Sequence, residues 1–156
     1  MIIITKSETA DTRTCDVTKV SKGQLKKASH SHIADVRQAL ALFQAELARA
    51  AREHDHTKLD GIDQFHDDFK TGFKITSWWD NHRKVERHHL LQEDGVKADV
   101  DLIDVLEFIA DCVMAGMARS GSVYKLELPD ALLQRAFQNT VDKLKNRIVI
   151  DHEAGA

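Results

Sequence analysis

The sequence has little of several things, and each shortage narrows what it can be. It carries two cysteines, Cys15 and Cys112, in 156 residues. Thiols so far apart allow one bridge at most, and nothing else suggests secretion, so the reduced state is the preferred reading. No apolar run approaches the roughly 18 residues that a membrane helix needs. Met1-Ile2-Ile3-Ile4 is too short for a signal-peptide core, and no basic residue precedes it. Neither charge is in excess: 22 basic against 25 acidic side chains leave a formal net charge of −3. That balance argues against extended nucleic-acid binding, which wants a basic surface, yet leaves room for a small anion. The expectation is a cytoplasmic protein without membrane association. There is a single proline, against nine histidines.

A hydrophobic content of 42% in this length suffices for one globular domain spanning 1–156. Residues 1–20 are rich in Ile, Thr and Val around Asp11, Thr12 and Arg13. They predict a strand, a turn and a second strand laid on a helical body, or else a partly ordered arm. From Ser31, a candidate N-cap, the apolar residues Ile33, Val36, Leu40, Phe43 and Leu47 recur with helical spacing to about Arg52. A short helix is expected over 61–69, stopped at Thr71-Gly72. Another runs from Trp78 to about Leu91, stopped by Asp94-Gly95. Asp101 caps the strongest segment, whose Leu102, Ile103, Val105, Leu106, Ile109, Val113 and Met117 are too many for one stripe and predict a central, buried helix. Gly121 breaks it. Pro129 fits the first turn of a last helix over 129–148, with Leu132, Leu133, Phe137, Val141 and Leu144 on one face. The fold class is all-α: a helical bundle with a short N-terminal extended segment or β-hairpin. No repeat, low-complexity stretch or linker divides the chain.

The chemistry-bearing residues cluster. His54-Asp55 offers imidazole nitrogen and carboxylate oxygen at a helix end, although such a pair alone reads more readily as a solvated terminus, and only the further clusters shift the reading. Asp111 lies among Phe108, Ile109 and Val113, where a carboxylate is costly unless paired or bound to a metal. Asp104, Glu107 and Asp111 share one helix face, and a facing cation would relieve their repulsion. His82, Glu86 and His89 share a face at i, i+4 and i+7, with His88 about 100° round from His89 in a regular helix. Trp78 and Trp79 beside His82 invite base stacking, core packing being the plainer use of either one.

The order His32, His54-Asp55, Asp111 resembles the HD superfamily of metal-dependent phosphohydrolases, all-helical proteins with the pattern H…HD…D. His54-Asp55-His56-Thr57-Lys58 is similar to its HDxxK variant, whose lysine approaches substrate phosphate. His82 and the pair His88-His89 resemble the extra histidines of two-metal members. The stretch from His88 to Asp94-Gly95 is faintly similar to the cyclic-di-GMP phosphodiesterase branch. The glycine-tyrosine-proline signature of that branch is missing, so its substrate is not carried over. With Ala10 to Cys15 early and Ala118-Arg119-Ser120-Gly121 late, the chain resembles small HD-type proteins of tailed phages, and the expected cytoplasm is that of the host if the chain is phage-encoded. The resemblance covers about residues 28–120.

It implies hydrolysis of a nucleotide phosphoester or phosphoanhydride, a 5′-monophosphate or a deoxynucleoside triphosphate. The implied ligands are His32, His54, Asp55 and Asp111, with His82, His88 and His89 for a second ion. At His88-His89 the helical spacing favours the second histidine and the family doublet the first. Lys58 and Arg119 would face phosphate, Trp78 and Trp79 the base, and Glu86 or Glu107 would take the proton of the attacking water. The cofactor would be one or two divalent ions: Mn, Fe, Co, Ni or Zn suit the mixed ligands, while Mg prefers oxygen. A homo-oligomer is compatible with the sequence. Two alternatives stay open, an HD-fold binding or regulatory protein without turnover and a cyclic- or signalling-nucleotide phosphodiesterase.

Overall fold

In a computed structural model, residues 1–5, 16–74 and 77–151 are described, apart from the side chain of Glu93. The chain is mostly helical, with two short strands. It divides into two compact units, Met1–Ala45 with Asp142–Ala156, and Glu46–Val141.

In the first unit, β1 (Ile2–Thr5) pairs with β2 (Ile148–Asp151). Both strands are built from β-branched residues, which suit extended backbone. The pairing is parallel, in register from Ile2↔Ile148 to Thr5↔Asp151. The expected N-terminal extended segment is present as β1, and its partner here is β2, far along the chain; the return strand of a hairpin would fall in part on residues 6–15, which lie outside the described residues. Parallel strands need a long crossover, so no local pattern could reveal the pair. Residues 16–20 form a turn in which Asp16 Oδ1 accepts from Thr18 N–H and Thr18 Oγ1 at 3.1 and 2.6 Å. Asp11, Thr12, Arg13 and Cys15 lie outside the described residues.

Helix α1 (Lys22–Glu53) starts earlier than Ser31. Ser21 and Gln24 form a reciprocal cap: Ser21 Oγ accepts from Gln24 N–H at 3.3 Å, and Gln24 Oε1 accepts from Ser21 N–H at 2.9 Å. Ser31 therefore sits inside the helix. The predicted stripe is not the buried face either. Ile33, Val36 and Leu40 are exposed, whereas Ala28 and Ala50 are buried.

The second unit contains α2 (His56–Asp60), α3 (Ile62–Lys70), α4 (Trp78–Val85) and α5 (Leu102–Ser120), with most of α6 (Asp130–Lys145). Its core joins Leu90, Val100, Val105, Phe108, Leu132 and Ala136, packed round by Val96, Leu102, Leu126 and Leu128. On α6 the buried face is Leu132, Ala136 and Thr140: of the predicted stripe Leu132 is buried as expected, while Leu133, Phe137 and Val141 are exposed. Thr140 hides this face from a count of apolar residues. Its hydroxyl is satisfied inside, receiving Leu102 N–H at 2.9 Å and donating to the Ala136 carbonyl at 2.7 Å. Only the first half of α5 is buried, through Ile103, Val105 and Phe108. Leu106, Ile109 and Met117 are exposed, against the expectation of a central helix.

Two features place the site. The first is the start of α5. Asp101 accepts from the backbone of Ile103 and Asp104 at 2.8 and 3.3 Å, and Asp104 Oδ2 accepts from Asp101 N–H at 2.9 Å. Asp104 also takes the forked guanidinium of Arg87 at 2.7 and 2.8 Å, which ties the chain leaving α4 to the first turn of α5. The second is the early end of α4. Glu86 is already extended, at ψ 130°, so residues 86–91 escape the helical phase that the sequence suggests.

Loss of the α5 cap has a readable cost. Asp101→Ala should destabilise the protein by about 1–2 kcal/mol, as for other N-cap deletions, and Asp101→Asn by less. Urea unfolding measures it. An unchanged midpoint in Asp101→Ala would show that Arg87 and Asp104 alone hold the start of α5.

Candidate metal centre

Asp55 lies between α1 and α2 with φ at 56°, a left-handed conformation that Asp tolerates better than most residues. The turn brings two consecutive side chains to one place, with His54 Nε2 3.5 Å from Asp55 Oδ2. The Lys58 ammonium, one helical turn on, bonds the same oxygen. Asp55 Oδ1 faces the other way, 3.4 Å from His82 Nε2 and 3.7 Å from His88 Nε2. Asp111, from α5, brings Oδ1 to 3.8 Å from His54 Nε2.

Two ligand groups result, each with donor atoms within 4.8 Å of one another: Asp55, His82, His88 and His89, and His54, Asp55 and Asp111. Asp55 belongs to both. The end of α4 resolves the choice between His88 and His89, because both join the first group once neither is held in helical phase. His54, His88 and Glu107 form a third cluster. Its contacts are hydrogen bonds: Glu107 Oε1 accepts from His54 Nδ1 at 2.9 Å and from His88 Nδ1 at 3.1 Å. A carboxylate oxygen only accepts, so both rings carry their proton on Nδ1 and turn the Nε2 lone pair towards Asp55. This is the histidine–carboxylate arrangement that orients imidazoles on metals. Asp55 Oδ1, His82 Nε2 and His89 Nε2 are buried without a hydrogen-bond partner among the described residues. Three converging donor atoms in that condition are costly to leave so, and a cation satisfies them together.

The electrostatics follow from the packing. Burial works to raise Asp55, but the bonded Lys58 and the neighbouring His54 and His88 hold it below the usual carboxylate range. Burial likewise opposes Glu107, and its bonds to His88 and His54 bring it down. Burial keeps His82 below the ordinary imidazole value. It pushes His89 down to about 4, helped by charge on His88 and His82. His88 goes the other way: burial is outweighed by its bond to Glu107.

A cleft of about 700 Å³ reaches the site: Lys58, His89 and Asp111 line it, together with Phe73, Trp79, Arg119 and Lys125. Trp79 is therefore placed to meet a bound molecule. Trp78 is not: it is buried, stacked on Phe65 at 4.4 Å and on His82 at 4.7 Å, so the plainer reading applies to it. Glu86 and Glu107 also differ from expectation. Both bond on the Nδ1 side of the histidines, Glu107 directly and Glu86 through Thr57, away from the Nε2 atoms that face Asp55. His32 is exposed on α1, in the first unit, and belongs to none of the ligand groups found among the described residues. Thr57, Phe73 and Lys125 had no sequence signal beyond their position in or near the HD segment and the loop after α5. Among known proteins, no family model, no curated protein and no solved structure matches the chain.

The depressed His89 makes a pH prediction for the metal-stripped protein. Unfolded His89 takes a proton near 6.5 and folded His89 only near about 4, so its contribution to stability is present above 6.5 and is lost as pH falls through that window. His88, raised on folding, works in the opposite sense. Urea midpoints measured in EDTA should fall between pH 7 and pH 4.5, and less steeply in His89→Gln. Parallel profiles for the two proteins would show that His89 is not held neutral.

Proposed function

We propose that this site holds one or two divalent cations and hydrolyses a phosphoester or phosphoanhydride of a nucleotide, as an HD-type phosphohydrolase. One observation carries the reading: Asp55, His82 and His89 bring ligand atoms within 4.8 Å of one another, and Asp55 Oδ1, His82 Nε2 and His89 Nε2 are buried without a hydrogen-bond partner among the described residues. The bonds to Glu107 turn two further histidine lone pairs towards Asp55, that of His88 to the side of Oδ1 and that of His54 to the side of Oδ2. The HD pair and Asp111 keep the order that the family resemblance implies, while the first histidine of that pattern has no support from the ligand groups.

His82, His88, His89 and Asp55 would hold one ion, and His54, Asp55 and Asp111 a second. Such mixed ligands suit Mn, Fe, Co, Ni or Zn better than Mg. When bound, the cation polarises phosphoryl oxygen and lowers the pKa of the attacking water. The protein supplies the rest. Asp55 and Asp111 provide the negative charge that localises cations among these ligands. Lys58 neutralises charge developing on the phosphoryl group, and Arg119, which lines the same cleft, is a second cation for phosphate. Trp79 and Phe73 offer a wall on which a base stacks. A 5′-monophosphate or a deoxynucleoside triphosphate fits this distribution of cation and aromatic surface. Among the described residues, no helix is long and apolar enough to cross a membrane.

The test is a stripped protein reloaded with each metal and assayed against a nucleotide panel for phosphate, pyrophosphate or triphosphate release. Asp55→Ala should lose the bound cation and at least about a hundredfold in turnover, since metal charge stabilisation supplies several kcal/mol. Its helical circular dichroism should persist. His82→Ala should halve the bound metal or lower turnover by orders of magnitude. A wild type that binds metal tightly and turns over nothing would instead be a binding or regulatory module. A wild type that binds none would end the metal reading.

A further inference from the structure

A neutral histidine offers a cation a lone pair on one nitrogen only, so whatever holds the proton on the other nitrogen decides whether the ring can bind. For His82 that decision is made two residues beyond the HD pair. His82 Nδ1 lies 2.7 Å from Thr57 Oγ1, and a hydroxyl has a single proton to donate. That proton is committed elsewhere, because Oγ1 is 2.6 Å from Glu86 Oε1. The same carboxylate oxygen receives Thr57 N–H at 3.0 Å and lies 3.1 Å from His56 Nδ1. His56 Nδ1 also meets the Glu53 carbonyl at 2.9 Å, a pure acceptor, so it carries a proton. Glu86 Oε1 thus faces three donors, and Thr57 donates to it. Only lone pairs remain on Oγ1 for His82, whose Nδ1 must donate in turn. His82 Nε2 is left bare, buried and directed at Asp55 Oδ1. Stacking with Trp78 and Trp79, at interplanar angles of 17° and 27°, holds the ring against rotation.

The structure assigns Thr57 and Glu86 as a positioning pair: Glu86 orients the Thr57 hydroxyl, and Thr57 fixes His82 in the tautomer whose Nε2 is available to a divalent cation. This rests on the metal reading above. Neither residue touches the cation or the substrate. They act through His82, as Glu107 acts through His54 and His88, so that each histidine with a carboxylate or hydroxyl behind it presents the same nitrogen.

The experiment compares wild type with Thr57→Val, Thr57→Ser and Glu86→Met. Long-range nitrogen–proton spectra of ¹⁵N-histidine-labelled, metal-free protein report the tautomer of His82, and Mn²⁺ titration reports affinity. Wild type and Thr57→Ser should show His82 protonated on Nδ1 and bind Mn²⁺ within about threefold of each other. Thr57→Val and Glu86→Met should populate the Nε2-protonated form and bind about ten- to hundredfold more weakly, the usual range for lost support behind a ligand. Melting temperatures close to wild type guard against a merely structural loss. His82 remaining protonated on Nδ1 in Thr57→Val, with Mn²⁺ affinity unchanged, would overturn the assignment. Because the tautomer is read without metal, a wild type that takes up no Mn²⁺ refutes the metal reading separately.

Discussion

A half-buried carboxylate surrounded by imidazole nitrogens is the constraint on which the second unit depends. Asp55 cannot be neutralised by a single neighbour. Lys58 satisfies Oδ2, while Oδ1 faces His82 and His88 with nothing to donate to it. Left unmade, each such contact costs about 1–3 kcal/mol. Three orphaned donor atoms therefore outweigh the one or two kcal/mol that the α5 cap returns. A cation bound to the native state alone would offset such a cost by mass action.

Much of the surrounding structure serves to keep those atoms in place. The left-handed Asp55 is a backbone cost accepted at the point where His54 and Asp55 must converge. Glu107 holds two rings with one oxygen. Glu86 and Thr57 hold a third. Arg87, locked to Asp104, sets the path of the segment that delivers His88 and His89. Carboxylates that repel each other on one face of α5 are each matched by a different partner: Asp104 by Arg87, Glu107 by two histidines, and Asp111 by the site itself. The helix face that looked like one acidic cluster is three separate tasks.

Residues whose role is local were legible in advance. Asp101 carries a cap signature and caps. Gly121, in the left-handed region at φ 68°, ends α5 where a glycine was expected to break it. The HD pair, His82 and Asp111 attract notice because metal-ligand residue types are rare in such company. Errors arose where one element's periodicity was read as its burial. The α1 stripe and the Leu133 face of α6 are amphipathic yet exposed, and Thr140 sits in the core because a hydroxyl satisfied within its own helix and by α5 costs little to bury.

By itself, then, the sequence determined the mostly helical class, the helix punctuation and the residue types from which a cation site is made, because these depend on contacts a few positions apart. Only the tertiary structure decided which of those residues meet. His88 and His89 both join the site because α4 stops at Val85. Trp78 is closed off because Phe65 and His82 stack on it. His32 lies outside the ligand groups found among the described residues, β1 pairs with a strand at the other end of the chain, and Glu86 stands behind His82 through Thr57. Each of these outcomes hangs on where separate segments pack, and convergence of side chains from distant segments leaves no periodicity along the chain to be read.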